Sequence, residues 1–276
     1  MQVAFEENTE SLCIVLFFCF LDFVTFVCLR TRGAPGVIGY CIHMLIGGFQ
    51  KLTLIDYPGK VATVVFTIGC NFRCSFCHNP ELISPSLEMV KIGQENEEAF
   101  FAFLKKRRGL LDGVCVTGGE PTVQRDLIPF LGRVKKMGFL VKLDTNGLRP
   151  EALREVLQQK LVDYIAMDVK HAPKKYALAM GAEIDMEKIK ESVEIIKKSG
   201  LPYEFRTTVV PGIHTEGDFE AIGKWIRGAK RYYLQPFRPD IVFDPKVRDE
   251  ALGKTLDFEN IKNRLKKYGI DALIRG

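Results

Sequence analysis

Hydrophobic and polar positions fall into blocks along most of this chain, and the period changes from block to block. Val61–Ile68 is apolar almost throughout and rich in β-branched residues, the pattern of a strand buried on both faces. Glu95–Arg108 carries Phe100, Phe103 and Leu104 on one side and ends in Lys105, Lys106, Arg107 and Arg108 before Gly109. That predicts a helix whose basic last turn complements its dipole, a solvated end more than a docking surface. The alternation then recurs. Strands are predicted over Gly113–Thr117, Phe139–Asp144, Val162–Val169, Glu204–Val210, Arg231–Gln235 and Ile270–Ile274. Helices are predicted over Val123–Met137, Pro150–Gln159, Met186–Ser199, Thr215–Arg227 and Leu256–Tyr268. Pro150 opens its helix, and Thr215 with Asp218 has the spacing of a capping pair. Ahead of the first buried strand, Gly47-Gly48 and Asp56-Tyr57-Pro58-Gly59 predict turns around a hairpin. Strand and helix alternating about six times means parallel strands joined by helical crossovers. An open doubly wound sheet is the neutral expectation, and in such folds active groups gather at the C-terminal ends of strands.

Residues 1–43 do not share this pattern. Leu12–Leu29 is an apolar run broken only by Asp22 and Thr25, short for a membrane-spanning helix and costly at Asp22. Its front carries Glu6, Glu7 and Glu10, which argues against a secretory signal. Two readings stand, a membrane segment or upstream translated sequence ahead of Met44, and the second is the expectation. At 276 residues with 47% hydrophobic and 26% charged residues, the chain can bury a large globular core. The net charge of +5 is spread out, with no basic stripe interleaved with aromatics, so nucleic acid is not an expected partner.

The chemistry concentrates in Cys70-Asn71-Phe72-Arg73-Cys74-Ser75-Phe76-Cys77, where three thiols are spaced C-x3-C-x2-C and the next cysteine is Cys115. Thiolates are soft ligands for iron–sulfur clusters or zinc. Three of them on a cubane leave one iron free of protein. A zinc site with His78 as fourth ligand is the chief alternative, although structural zinc favours paired motifs further apart. A disulfide would leave one of the three thiols over. Inert packed cysteines are a poor fit to a loop flanked by Gly, Asn and Arg. Thiolate ligands require a reducing compartment, so the chain is expected in the cytoplasm.

The C-x3-C-x-aromatic-C loop after an apolar strand resembles that of the radical S-adenosylmethionine enzymes. Cys77-His78-Asn79 and the lead-in Leu54-Ile55-Asp56-Tyr57-Pro58-Gly59-Lys60 resemble the activating proteins of glycyl radical enzymes, most closely those of anaerobic ribonucleoside-triphosphate reductase. The resemblance runs from about Met44 to Arg275, which sets residues 44–276 apart as the catalytic domain. It implies a partial TIM-like (β/α)6 barrel with parallel strands, carrying the apolar extension of residues 1–43. It also implies one 4Fe-4S cluster on Cys70, Cys74 and Cys77, with S-adenosylmethionine as cofactor. Reductive cleavage of that cofactor to a 5′-deoxyadenosyl radical would then install a glycyl radical on a partner enzyme.

The remaining site residues are implied by the same likeness. Gly118, Gly119 and Glu120 lie at the position for the methionine amino group, and Asp144, Thr145 and Asn146 at that for ribose and methionine. Asp168 and Lys170 fall beside the methionine carboxylate, Arg206 near the cofactor and Phe76 against adenine. Asp144 and Asp168 could share a monovalent cation. An electron donor such as flavodoxin or ferredoxin is implied as a second partner. His78 and His214 are read as non-catalytic, and Gln235-Pro236-Phe237-Arg238 stands where some relatives have a histidine. Other readings remain open here: a radical enzyme acting on a small molecule, and a zinc-stabilised binding protein.

Overall fold

The computed structural model describes residues 43–84, 86–181 and 183–275, and within residues 1–42 the backbone of four strands. The chain divides into two compact units, Met1–His43 and Met44–Gly276. In the first, Val3–Asn8, Ser11–Phe20, Phe23–Arg30 and Gly39–Tyr40 form an antiparallel four-stranded sheet in chain order. The apolar run is therefore carried by two strands, where the membrane-segment reading had required one helix. Its β-branched and aromatic composition suits strands. No helix among the described residues is long and apolar enough to cross a membrane.

The second unit is an eight-stranded sheet whose strands are neighbours in chain order. They are β1 (Ile46–Thr53), β2 (Ala62–Thr67), β3 (Gly113–Gly118), β4 (Leu140–Thr145), β5 (Tyr164–Asp168), β6 (Tyr203–Val209), β7 (Tyr232–Pro236) and β8 (Ala272–Ile274). β1 pairs antiparallel with β2, and every later pairing is parallel. The crossovers carry α1 (Leu87–Lys106), α2 (Leu127–Lys136), α3 (Pro150–Gln158), α4 (Tyr176–Met180), α5 (Met186–Lys198), α6 (Asp218–Trp225), α7 (Pro245–Ala251) and α8 (Phe258–Lys266). This is the expected α/β fold of the partial-barrel class. Gly47-Gly48 differs from expectation: both glycines lie inside β1, at a register irregularity against β2, and make no turn.

A period of two divides each strand between two environments. Val65, Val114, Val116, Val141, Leu143, Ile165, Met167 and Phe205 join the main apolar cluster, together with Phe100 and Leu104 of α1 and Leu131 and Val134 of α2. Each such buried side chain contributes roughly 1.5–3 kcal/mol. The intervening residues are polar on three adjacent strands: Lys142 and Asp144 on β4, Asp168 on β5, and Glu204 and Arg206 on β6.

Candidate cofactor site

The cysteine loop leaves the C-terminal end of β2 and is fixed by backbone bonds. Gly69 N donates to Leu82 O at 2.7 Å, Cys70 N to Ile83 O at 3.0 Å and Cys77 N to Cys74 O at 3.0 Å. Arg73 folds back so that Nη1 donates to Cys70 O and Phe72 O at 2.7 and 2.9 Å. The three thiols thereby open onto one cavity of about 410 Å³. Every cysteine and every cofactor residue predicted from the sequence lines it, from Phe76 through Gly118, Glu120 and Asp144 to Lys170 and Arg206. Sequence reasoning missed Val64, Phe66, Phe72, Thr117 and Thr208 as further lining. Alternation along β2, β3 and β6 is the signal that places Val64, Phe66, Thr117 and Thr208 there, while Phe72 belongs to the cysteine loop, where no strand period applies.

The two glycines also have a packing role. A Cβ on Gly119 would stand 2.2 Å from Gly69 O, and one on Gly118 would stand 2.3 Å from Thr67 N. Gly119 N donates to Thr67 O and Glu120 N to Gly69 O, both at 2.8 Å. The pair therefore lets the end of β3 press against the entry to the cysteine loop. The Glu120 carboxylate is spent on protein donors as well: Thr122 N at 3.1 Å, Thr145 Oγ1 at 2.7 Å and Asn146 N at 2.6 Å. Thr145 Oγ1 accepts in turn from Gly147 N at 3.1 Å. Asn146 Nδ2 donates to Asn71 Oδ1 at 2.7 Å, tying the end of β4 to the cysteine loop. Glu120, Thr145 and Asn146 border the cavity mainly as its frame.

Charge is arranged on the opposite wall. Arg206 donates from Nε to Asp168 Oδ1 at 2.8 Å and from Nη1 to Asp144 Oδ2 at 2.9 Å. Lys170 Nζ donates to Asp168 Oδ2 at 2.8 Å, and Lys142 Nζ to Asp144 Oδ1. All four carboxylate oxygens thus face a cation of the protein. Burial alone would raise the Asp168 and Asp144 carboxyls, but Arg206 and the lysines hold both below the usual carboxylate range. Behind this wall Glu204, fully buried, accepts two bonds from Arg275 at 2.7 and 3.0 Å and one from Tyr164 at 2.9 Å. Its Oε1 lies 4.0 Å from Arg206 Nη1.

Burial pushes the Cys70 thiol up to about 12, with the Glu120 carboxylate adding to it, and pushes Cys74 to about 11 and Cys77 upward. A bound cation would be needed to draw these groups to thiolates. None of Cys70, Cys74, Cys77 or Cys115 is in a disulfide. Among the described residues no three His, Cys, Asp or Glu side chains converge closely enough to hold a single metal ion, which a larger polynuclear core does not require. His78, the fourth ligand of the zinc reading, is engaged elsewhere: Nε2 bonds Arg238 O at 3.1 Å and the ring stacks on Phe237. Three soft thiols on one polar cavity fit a 4Fe-4S cluster better than zinc.

Two histidines, His171 and His214, pack beside the site with their ring nitrogens bonded to backbone groups. His214 Nδ1 accepts from Val210 N at 3.0 Å and Nε2 donates to Lys170 O at 2.9 Å, which fixes a neutral tautomer. Its ring stacks on His171 at 4.6 Å and meets Phe76 edge-on at 6.4 Å.

Comparison with known proteins agrees with this architecture. The sequence profile of the Radical SAM superfamily matches residues 64–226. A Methanocaldococcus jannaschii protein named as a candidate glycyl-radical enzyme activating enzyme is 33% identical, over 84% of this chain and 95% of its own. The pyruvate formate-lyase-activating enzyme of Clostridium pasteurianum is 27% identical over 81% of this chain and 95% of its own. The crystal structure of Streptococcus suis SuiB bound to S-adenosylmethionine shares the fold, with a TM-score of 0.55 at 12% identity over 76% of this chain and 48% of that one. The chain therefore belongs to the Radical SAM superfamily, within its glycyl-radical enzyme activating family.

Proposed function

We propose that residues 44–276 form a catalytic unit that activates a glycyl radical enzyme, with anaerobic ribonucleoside-triphosphate reductase as the partner. The superfamily implies a 4Fe-4S cluster and S-adenosylmethionine as cofactors. Cys70, Cys74 and Cys77 would hold the cluster. When bound, it would supply the electron that splits S-adenosylmethionine into methionine and a 5′-deoxyadenosyl radical, which would take a hydrogen atom from a glycine of the partner. The single observation supporting this most is that the three thiols share one cavity with the polar strand ends. Its volume of about 410 Å³ is of the order of small-ligand sites.

The chain's own residues supply position and electrostatics. The Lys170 and Arg206 cations would face the methionine carboxylate, and Phe76, almost fully buried, would pack against adenine. The frame built on Glu120 would keep Thr145 and Asn146 from swinging into the cofactor's space. A monovalent cation between Asp144 and Asp168 would have to displace Arg206, which already bridges them. The electron would come from a flavodoxin or ferredoxin in a reducing cytoplasm, where thiolate ligands survive.

Anaerobic incubation of the reconstituted protein with S-adenosylmethionine, a reductant and the reductase tests this reading. The expected result is a glycyl doublet in the EPR spectrum of the reductase. Cofactor cleavage with no such doublet, but with turnover of a small metabolite, would overturn the partner and point to a small-molecule enzyme.

A further inference from the structure

Three adjacent strands each carry opposite charges two residues apart: Lys142-x-Asp144 on β4, Asp168-x-Lys170 following β5, and Glu204-x-Arg206 on β6. On β4 and β6 the period of two puts both members on one face, and Lys170, just past β5, meets Asp168 through its ion pair. Asp144, Asp168, Lys170 and Arg206 reach the cavity, whereas Lys142 and Glu204 are not among its lining residues. Lys142 is 1% exposed and Glu204 0%. The parallel register sets Lys142 beside Cys115 and Tyr164, one step below Asp144.

Buried ion pairs of this kind are weak contributors to stability, because the desolvation cost offsets most of the attraction. Burying Lys142 is costly, yet its ion pair is made with the site wall. Nζ bonds Asp144 Oδ1 and lies 3.7 Å from Cys115 Sγ. Asp144 has its other oxygen on Arg206, which in turn holds Asp168, which holds Lys170. At the far end Glu204 is clamped by Arg275 and Tyr164 and stands 4.0 Å from Arg206. The visible wall of the cavity is thus the front rank of a longer charge ladder.

We propose that Lys142 and Glu204 are positioning residues for S-adenosylmethionine: they act through Asp144 and Arg206, setting the direction of the charged groups that meet the cofactor, without touching it. This rests on the reading of the cavity as the S-adenosylmethionine site. Without Lys142, Asp144 would be free to rotate toward Arg206 with both oxygens, drawing the guanidinium off Asp168 and loosening Lys170 in turn.

The test is a double-mutant cycle in the full-length reconstituted protein, with Kd for S-adenosylmethionine measured by equilibrium dialysis under anaerobic conditions. Lys142→Met is expected to weaken binding about tenfold, and Asp144→Asn by a similar factor. The double variant should be no weaker than Asp144→Asn alone, since one acts through the other. Glu204→Gln should weaken binding several-fold while leaving iron and sulfide content unchanged. Should Lys142→Met not fold, Lys142→Gln replaces it, and a loss of at least threefold is expected. A Lys142 that only stabilises the fold would lower the melting temperature and leave Kd of the folded protein unchanged. Wild-type affinity in the Lys142 variant, or losses that add in the double variant, would overturn the proposal while leaving the site reading intact. Failure of the wild-type protein to bind S-adenosylmethionine would remove the site reading, and this inference with it.

Discussion

His214 shows how far a residue's role depends on what surrounds it. In the sequence it is a histidine between a strand end and a helix, read as an ordinary loop residue. In the fold it is 3% exposed and stacked on His171, with both ring nitrogens committed to backbone. Burial first, and then His171, lowers its pKa from the ordinary 6.5 to about 4, although Asp218 pulls the other way. At pH 7 the folded and unfolded chains both hold it neutral. As pH falls from about 6.5 toward 4, the unfolded chain takes up a proton that the folded one refuses, so stability is lost on acidification. The loss from this group between pH 7 and 5 is about 2 kcal/mol. Denaturant titrations at the two pH values should show it in the wild-type protein and much less in His214→Gln. Equal pH dependence in both would contradict this account of the residue.

Among the elements, the junction of β3 with the cysteine loop matters most. A methyl group at Gly119 would run into the carbonyl of Gly69, which is backbone and has no rotamer to change. Gly119→Ala should cost roughly 1–3 kcal/mol by overpacking. It should also lower iron uptake, because the displaced backbone is the one that carries Cys70. Gly48→Ala, where an added Cβ meets nothing within 4 Å, is the control and should be near neutral. A stable Gly119→Ala protein with full iron content would show that the contact is dispensable. This junction also marks how much the sequence made legible. Hydrophobic blocks predicted β2 to β8 to within a residue or two, because strands buried on one or both faces carry their period openly, whereas β1 was read only as part of a hairpin with a turn at Gly47-Gly48. The start of α1 was missed by about two turns, because Gly93 interrupts its pattern; a Cβ there would stand 3.3 Å from Ile46 N, so the glycine serves close packing of helix on strand. α4 and α7 were missed because each is under eight residues, too short for a helical period to register. The proposed site residues that line the cavity could be named from their motifs. What each one does could not, since the bonds of Glu120 to Thr145 and Asn146, and of Arg206 to Asp144 and Asp168, join strands far apart in the chain.

Taken as a whole, the barrel combines a largely apolar helix-facing side with an inner side that is charged on β4, β5 and β6. Val116, Leu143 and Phe205 bind the strands to their helices, while Lys142, Asp144, Glu204 and Arg206 occupy the alternate positions. The expense of burying those charges is a reason to connect them with the cofactor cavity, where the three thiols also open. Cys70, Cys74 and Cys77 are proposed together to hold a cluster that cleaves S-adenosylmethionine. The most direct measurement is the 5′-deoxyadenosine formed by anaerobically reconstituted, reduced protein, compared between the wild type and the three single Cys→Ala variants. The account predicts 5′-deoxyadenosine from the wild type and none above background from any variant. A variant with wild-type yield, or a wild-type protein that is colourless, holds one zinc and makes no 5′-deoxyadenosine, would contradict it.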